Sequence, residues 1–293
     1  MIGQSGPKRA LVAALFLAPS LLPLVLFTLG PMAASFVISL LRWDLLRPAQ
    51  WKGLDNYLLL IKDPDFHAAI EHTLFFIAGY LPLVFVGGLA IALALNQRLR
   101  AVSLFRTIYF LPVVTSWVVV AFMWKWLLNP QSGIVNYVLG LAGLHGPGWW
   151  TDPSWAMPSI ILASAWKDLG FVMVILLAGL QAIPEEYYDA AAMDGAGRWS
   201  SFWRITLPLL SPASFFVVVI SLINSFQVFD QVWVMTGGGP VDATTVVVVQ
   251  VVKNAFNYGQ VGYASAMSWL LFAAILLVTL VQLQIQRRWV IYA

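Results

Sequence analysis

Along this chain, apolar stretches of membrane-spanning length alternate with connectors that are short and polar or rich in aromatic and turn residues. Six apolar stretches stand out, at about 11–40, 72–95, 104–128, 157–180, 209–235 and 262–285. A helix needs about 20 predominantly apolar residues to cross the hydrocarbon core, and each stretch reaches that length. None alternates apolar and polar residues with period two, as a membrane barrel strand would. The pattern predicts an all-α integral membrane protein, a six-transmembrane-helix bundle forming a single transmembrane domain over 1–293. Every span contains Gly or Pro, which neighbouring helices can accommodate by satisfying the freed backbone groups. The first stretch is long for one crossing and carries Pro19, Pro23 and Pro31, so a tilted or kinked helix is expected. Its basic start has the look of a signal peptide. The apolar run, however, continues well beyond about 15 residues, which predicts an uncleaved first span.

Composition strengthens this picture. Hydrophobic residues make up 60% of the chain and charged residues only 10%, against roughly 25% charged in soluble domains. That sets aside a soluble globular domain. Cysteine is absent, which removes disulfide, iron–sulfur and thiol chemistry. The net charge of +3 matters less than where the charges fall. One set of span ends holds Lys8, Arg9, Arg98, Arg100, Arg106, Arg198, Arg204, Arg287 and Arg288; the other holds Arg42, Arg47, Lys52, Lys62, Lys125 and Lys253. The second set is diluted by Asp44, Asp55, Asp63, Asp65 and Glu71. The tight loop 96–106 has three arginines and no acid, so the positive-inside rule places it, both termini and the 181–208 loop in the cytoplasm.

The outer connectors then read as a cap. Residues 42–71 hold Trp43, Trp51, Gly53 and the run Asp55–Asn56–Tyr57, and 129–156 are rich in turn residues and tryptophan. The stretch after Gly237–Gly238–Gly239–Pro240, ATTVVVVQVVKNAFNYG, fits strand or helix by period, and a helix at the outer surface is the favoured reading. Trp43, Trp51, Trp124, Trp126, Trp149, Trp150 and Trp155 cluster on this side. An interfacial aromatic belt explains them; sugar stacking or partner docking is the alternative.

Catalytic chemistry is sparse. No Gly-x-x-x-x-Gly-Lys-Ser/Thr occurs, so the chain has no P-loop with which to cradle ATP. His67, His72 and His145 are scattered and do not suggest a metal cage. Glu185 and Glu186 are adjacent, which points them to different helix faces and away from paired acid–base work. Polar residues inside the spans are more informative. Lys167 and Asp168 lie near the middle of the fourth span, where charge is costly and faces a cavity or a partner. Neighbours in sequence cannot pair across a helix face, so at least one of them needs a partner on another helix. The fifth span carries Asn224, Gln227, Asp230 and Gln231. At about 100° per residue, Asn224, Gln227 and Gln231 fall within about 60° of one another, with Asp230 about 60° to the side. Helix–helix hydrogen bonding accounts for such residues in part. The other reading is a translocation pathway lined by this stripe, together with Lys167 and the aromatics Trp166 and Phe226.

One further stretch is neither span nor loose loop: Glu185 to Pro208, EEYYDAAAMDGAGRWSSFWRITLP. Acids at its start favour a helix N-terminus, Gly195 and Gly197 mark a turn, and Pro208 suits the start of the next helix. Within it, Asp189–Ala190–Ala191, Gly195, Ile205, Leu207 and Pro208 keep the spacing EAA–x3–G–x9–I–x–LP. This resembles the EAA motif of permease subunits of ATP-binding-cassette importers, with Asp189 in place of the usual Glu. The wider run LQAIPEEYYDAAAMDGAGRWSSFWRITLPLLSP, with SFQVFDQVWVMTGGGP, GLDNY and VGYASAMSWLLF, is similar to the carbohydrate branch of that superfamily over about residues 10–290.

The resemblance implies a type I importer permease. Glu186, Asp189, Ala190, Ala191, Asp194, Gly195, Ile205, Leu207 and Pro208 would dock a coupling helix into a separate ATPase subunit. It implies a second permease subunit in a heterodimer, two ATP-binding subunits and an extracytoplasmic solute-binding protein, in a bacterial-type inner membrane, with no nucleic-acid partner. The chain would bind no cofactor itself; ATP and magnesium would sit on the partner ATPase. The expected cargo is a sugar or oligosaccharide. A glycerol-phosphate-type permease would want several cations near the pathway. An ion-coupled secondary transporter would want inverted repeats, which are not evident.

Overall fold

The structure is a computed structural model that describes residues 7–97 and 102–290. Arg98 and Arg100 of the orienting loop lie outside the described residues, as do the side chains of Lys8, Arg9 and Arg288. The chain begins with α1 (Pro7–Leu24), which runs through a π turn at Val25–Leu29 into α2 (Gly30–Ser39). The π turn follows Pro19 and Pro23, whose missing amide hydrogens disturb the i to i−4 ladder, so the expected irregularity is present. A two-residue hairpin, β1 (Leu41–Arg42) and β2 (Gln50–Trp51), pairs antiparallel with Leu41 opposite Trp51. The helix α3 (Asp55–Leu60) follows.

Next come α4 (Pro64–Leu95), α5 (Val102–Val114), α6 (Trp117–Leu127), α7 (Ile134–Leu141) and α8 (Pro153–Gln181). The two long helices of this group start alike. Asp63 accepts from the amides of Asp65 and Phe66, Asp152 accepts from Ser154, and a proline follows each cap. The aspartate satisfies orphan donors, and proline has no amide hydrogen to lose at that position. The loop 181–208, expected on the cytoplasmic side, contains α9 (Glu186–Met193) and α10 (Arg198–Ser201). A π turn (Phe202–Thr206) then leads into α11 (Leu207–Leu209), with Pro208 in its first turn. The chain ends with α12 (Ser211–Phe226), α13 (Asp230–Met235), α14 (Val247–Val252) and α15 (Val261–Trp289). The ambiguous valine-rich stretch is therefore helical from Val247, continuing as a π turn to Asn257.

Among the described residues, four helices are long and apolar enough to cross a membrane unbroken, or up to six spans if each bent pair counts as one. The bends correct two expectations. The stretch 104–128 is not one helix: α5 and α6 meet at 101° around Thr115 and Ser116. Pro112 lies in the last turn of α5, and Ser116 has an extended ψ of 140°. The stretch 209–235 is also interrupted, ending as helix at Phe226 and resuming at Asp230. Upstream, the run Arg198–Leu209 meets Ser211–Phe226 at 63°.

The residues fall into two compact units, Met1–Lys62 with Val251–Leu270, and Asp63–Gln250 with Leu271–Ala293. In the first, the GLDNY run has a local task. Asn56 Nδ2 donates to the carbonyls of Ser39 (2.7 Å) and Leu41 (2.9 Å), and the Tyr57 and Ser39 hydroxyls are 2.7 Å apart. The Asn56 bonds occupy the carbonyl of the last residue of α2, which has no helical partner, and that of the first residue of β1. Trp269 packs edge-on against Phe36 and donates to Ser35 Oγ.

In the second unit, α4 and α8 are packed along small residues. A methyl group placed at Gly79, Gly87 or Gly88 would run into Ile161, Leu169 or Val172, the close approach that small residues permit between membrane helices. Phe76, Tyr80, Val84, Val172, Met173 and Leu176 are buried there. The tryptophans expected on the outer side are partly used internally. Trp149 Nε1 donates to Asn136 Oδ1 (2.6 Å), and Trp150 Nε1 donates to the Lys125 carbonyl while the Lys125 ammonium lies 4.8 Å from the Trp150 ring centre.

Candidate functional site

Two features of the second unit collect the residues singled out by sequence. The first is the interruption between α12 and α13. Gln227 (φ −99°, ψ 15°) and Phe229 (φ −146°, ψ −64°) leave helical geometry, and the amides of Gln227 and Val228 fall back to the three-residue-distant carbonyls of Asn224 and Ser225. No Gly or Pro lies between 224 and 231. Ser225 Oγ donates to the Ser221 carbonyl at 2.6 Å, a back-bond that bends helices, and Asp230 opens the next helix as an acid in its first turn.

The break opens a cavity of about 270 Å³. Phe76, Tyr80, Trp117 and Phe229 supply ring surface, and Asp168, Asn224, Ser225, Gln227, Asp230 and Gln231 supply polar groups. Asn224, Gln227 and Asp230 are exposed into it, whereas Gln231 is buried and donates to Ser164 Oγ at 3.4 Å. Thus Asn224, Gln227, Asp230 and Gln231 do converge. They converge around a kink and not along a continuous helical stripe, because the helix on which that stripe was drawn ends at Phe226.

The other three pathway candidates stand apart from this cavity. Trp166 packs edge-on against Trp124 at 5.7 Å, and Phe226 is half-buried outside the lining. Lys167 turns away: its ammonium donates to the Val113 carbonyl (3.1 Å) and sits 4.7 Å from the Trp117 ring centre. It thereby binds the last turn of α5 and the first residue of α6 across their bend. The carbonyls ending a helix carry partial negative charge, and an indole face attracts a cation, so both partners suit an ammonium in this place. Its sequence neighbour Asp168 finds a different partner, the Tyr80 hydroxyl, which donates to Oδ2 at 2.7 Å. Sequence reasoning misses Tyr80, Phe76, Trp117, Ser225, Val228 and Phe229, and reads Asp168 as an intramembrane charge that, with Lys167, calls for a partner on another helix. A tyrosine hydroxyl in mid-span was the one available signal for Tyr80, since a buried phenol needs a polar partner.

Removing that donor has a definite expected effect. In Tyr80→Phe the Asp168 carboxylate loses its bond, which should cost about 1–3 kcal/mol and lower the thermal unfolding midpoint of the purified protein. The double variant Tyr80→Phe/Asp168→Leu should recover most of that loss, because replacing both partners leaves no unsatisfied group. A midpoint unchanged in the single variant would show that the bond carries no stability.

The second feature is the loop from Glu185 to Pro208. Gly195 lies just past α9 with φ +78°; its amide donates to the Ala192 carbonyl (3.0 Å) and the Ala196 amide to the Ala191 carbonyl (2.9 Å). This pair of bonds is a Schellman ending, which requires the left-handed conformation that glycine adopts without penalty. The Tyr188 hydroxyl lies 3.0 Å from Thr206 Oγ1 and ties α9 back to the π turn before α11. Glu186, Asp189, Ala190, Asp194 and Gly195 are exposed on this knob, while Ala191, Ile205, Leu207 and Pro208 are half-buried at its base. Trp199 and Trp203 are exposed beside it and pack edge-on at 5.7 Å. Among the described residues, no group of three His, Cys, Asp or Glu side chains is placed to hold a metal ion.

Comparison with known proteins identifies the family. The family described as "Binding-protein-dependent transport system inner membrane component" matches residues 84–291. A probable ABC transporter permease from Bacillus subtilis is 34% identical over 97% of this chain and 93% of its own length. The trehalose/maltose transport system permease of Thermococcus litoralis is also 34% identical, over 96% of this chain and 95% of its own. Among solved structures, a bacterial ABC transporter involved in import of the acidic polysaccharide alginate superposes with a TM-score of 0.84. It shares 27% identity and covers 96% of both chains. By the family match over residues 84–291 and these relatives, the chain belongs to the inner membrane components of binding-protein-dependent ABC transport systems.

Proposed function

We propose that this chain lines half of the translocation pathway for a sugar or oligosaccharide, acting as one transmembrane domain that pairs with a second permease subunit. The cavity at the α12–α13 break carries this reading. It offers amide donors and acceptors on Asn224 and Gln227 beside ring faces, the combination that binds polyhydroxyl ligands by hydrogen bonding and stacking. The relatives carry trehalose or maltose in one case and alginate in another, which supports a carbohydrate cargo. A solute-binding protein would deliver it from outside, and two separate ATP-binding subunits would supply energy. The Glu185–Pro208 knob would enter a cleft on one of them, with Glu186, Asp189 and Asp194 at its exposed surface. Both termini would then lie in the cytoplasm of a bacterial-type cell. Closure of the ATPases on ATP would move the knob and turn the cavity between its two openings, a rigid-body alternation.

The deciding experiment compares uptake with assembly. Gln227→Ala should reduce initial sugar uptake about tenfold, the cost of roughly one lost hydrogen bond to a bound hydroxyl, while the ATPase subunits still co-purify. Uptake driven by an ion gradient without ATPase subunits would overturn the proposal. Loss of assembly in Gln227→Ala would assign the residue to helix packing instead.

A further inference from the structure

The cavity at the α12–α13 break contains two carboxylates, Asp168 and Asp230, and among the described residues lining it there is no lysine, arginine or histidine. We infer that the pathway sorts sugars by charge, passing uncharged and amino-bearing sugars and excluding acid sugars such as uronates, with Asp230 as the residue that reads the charge. This rests on the proposal that the cavity is the sugar pathway.

The one basic side chain of the neighbouring span is committed elsewhere. Lys167 is 5% exposed, donates to the Val113 carbonyl and lies over the Trp117 ring. Drawing it into the cavity to meet an anion would strip the α5–α6 bend of both contacts. The two carboxylates differ in their engagement. Asp168 already accepts the Tyr80 hydroxyl on one oxygen, though a carboxylate can accept several more donors. Asp230 is exposed into the cavity at the first turn of α13, free to take a hydroxyl or an ammonium.

A uronate entering here would give up hydration and meet two carboxylates, while the Lys167 ammonium beside them stays held by the Val113 carbonyl and the Trp117 ring and is not part of the cavity lining. That is an unpaired charge held against the wrong partner, the usual device of exclusion. A neutral hydroxyl donates to the same carboxylates, and an ammonium pairs with them. The fold itself imposes no such limit, because the alginate importer carries an acidic polysaccharide on the same architecture. The discrimination therefore lies in side chains.

The test uses the assembled transporter in lipid nanodiscs and three matched trisaccharides: maltotriose (neutral), the glucosamine trimer (cationic) and trigalacturonate (anionic). Equilibrium binding is measured by calorimetry at low and high salt. Maltotriose should bind, and the glucosamine trimer should bind about fivefold more tightly at low salt, an advantage that fades at high salt. Trigalacturonate should bind at least about tenfold more weakly than maltotriose. Asp230→Asn should shrink the spread among the three, and Asp230→Glu, which keeps the charge, should restore it. Trigalacturonate binding as well as maltotriose, or an unchanged ranking in Asp230→Asn, overturns the charge inference and leaves the sugar pathway standing. Failure of all three to bind removes the sugar-pathway reading, and the inference with it.

Discussion

Sugar uptake should fall to background in Gly195→Pro, while the spans stay folded. Gly195 has φ +78° and donates its amide to Ala192. Proline is held near φ −65° and has no amide hydrogen, so it can satisfy neither condition. The Schellman ending of α9 must then open, and Asp189, Ala190 and Ala191 lose their fixed relation to Ile205, Leu207 and Pro208. Gly195→Ala isolates the conformational part of this. A methyl group there meets nothing within 4 Å, so only the left-handed backbone opposes it, at about 1–2 kcal/mol. The expected series is full uptake in the wild type, reduced uptake in Gly195→Ala and none in Gly195→Pro. Thermal unfolding of the spans should change little, because the strain falls on the exposed loop, which can open locally without unpacking them. Labelled-sugar uptake with co-purification of the ATPase subunits reads the series. Normal uptake in the proline variant would mean that this knob transmits nothing.

A large loss of stability is expected at Gly170. There α8 passes so near α5 that a methyl group would strike the Tyr109 carbonyl and lie 3.0 Å from the Phe110 Cα. Both obstacles are backbone. A side-chain tip can rotate aside, as Leu169 could for a methyl at Gly87, where its terminal carbon is 2.6 Å away. A helix backbone moves only by displacing every contact along it. Overpacking of a close-packed interior costs about 1–3 kcal/mol, and Gly170→Leu should exceed that range. The prediction is little or no monodisperse protein for Gly170→Leu, a clearly lowered unfolding midpoint for Gly170→Ala, and a smaller shift for Gly87→Ala. Size-exclusion profiles and thermal unfolding in detergent decide it; equal shifts at Gly170 and Gly87 would show that α5 yields after all. The same crossing brings Lys167 to Val113 at the α5–α6 bend, so its loss should also disturb Trp117 at the cavity wall.

Much of this protein is written locally. Apolar length alone marks the six stretches, because a bilayer demands about 20 residues per helical crossing whatever the neighbours are. Asp63–Pro64 and Asp152–Pro153 mark the starts of the two longest helices of the second unit, earlier than the starts near 72 and 157 expected from apolar length, since cap and proline act within one turn and polar residues can continue a helix beyond the apolar core. The Gly195 turn and the two helices flanking it follow from residues next to each other in the chain. These features depend on interactions that close over a few residues, so a reader of the sequence can find them.

The cavity is of another kind. It exists because α12 stops at Phe226 without Gly or Pro to announce it, so a 3.6-residue period drawn through Gln227 and Gln231 describes a helix that is not there. Tyr80 and Asp168 are 88 residues apart in sequence, and nothing near either names the other. Lys167 and Asp168 stand side by side in sequence, yet one turns to the α5–α6 bend and the other to the cavity. That division was settled by which helix each face of α8 meets. Packing of α4, α5 and α12 around α8 chose the partners, because a charge inside a membrane must go wherever a carbonyl, a hydroxyl or a ring is within reach.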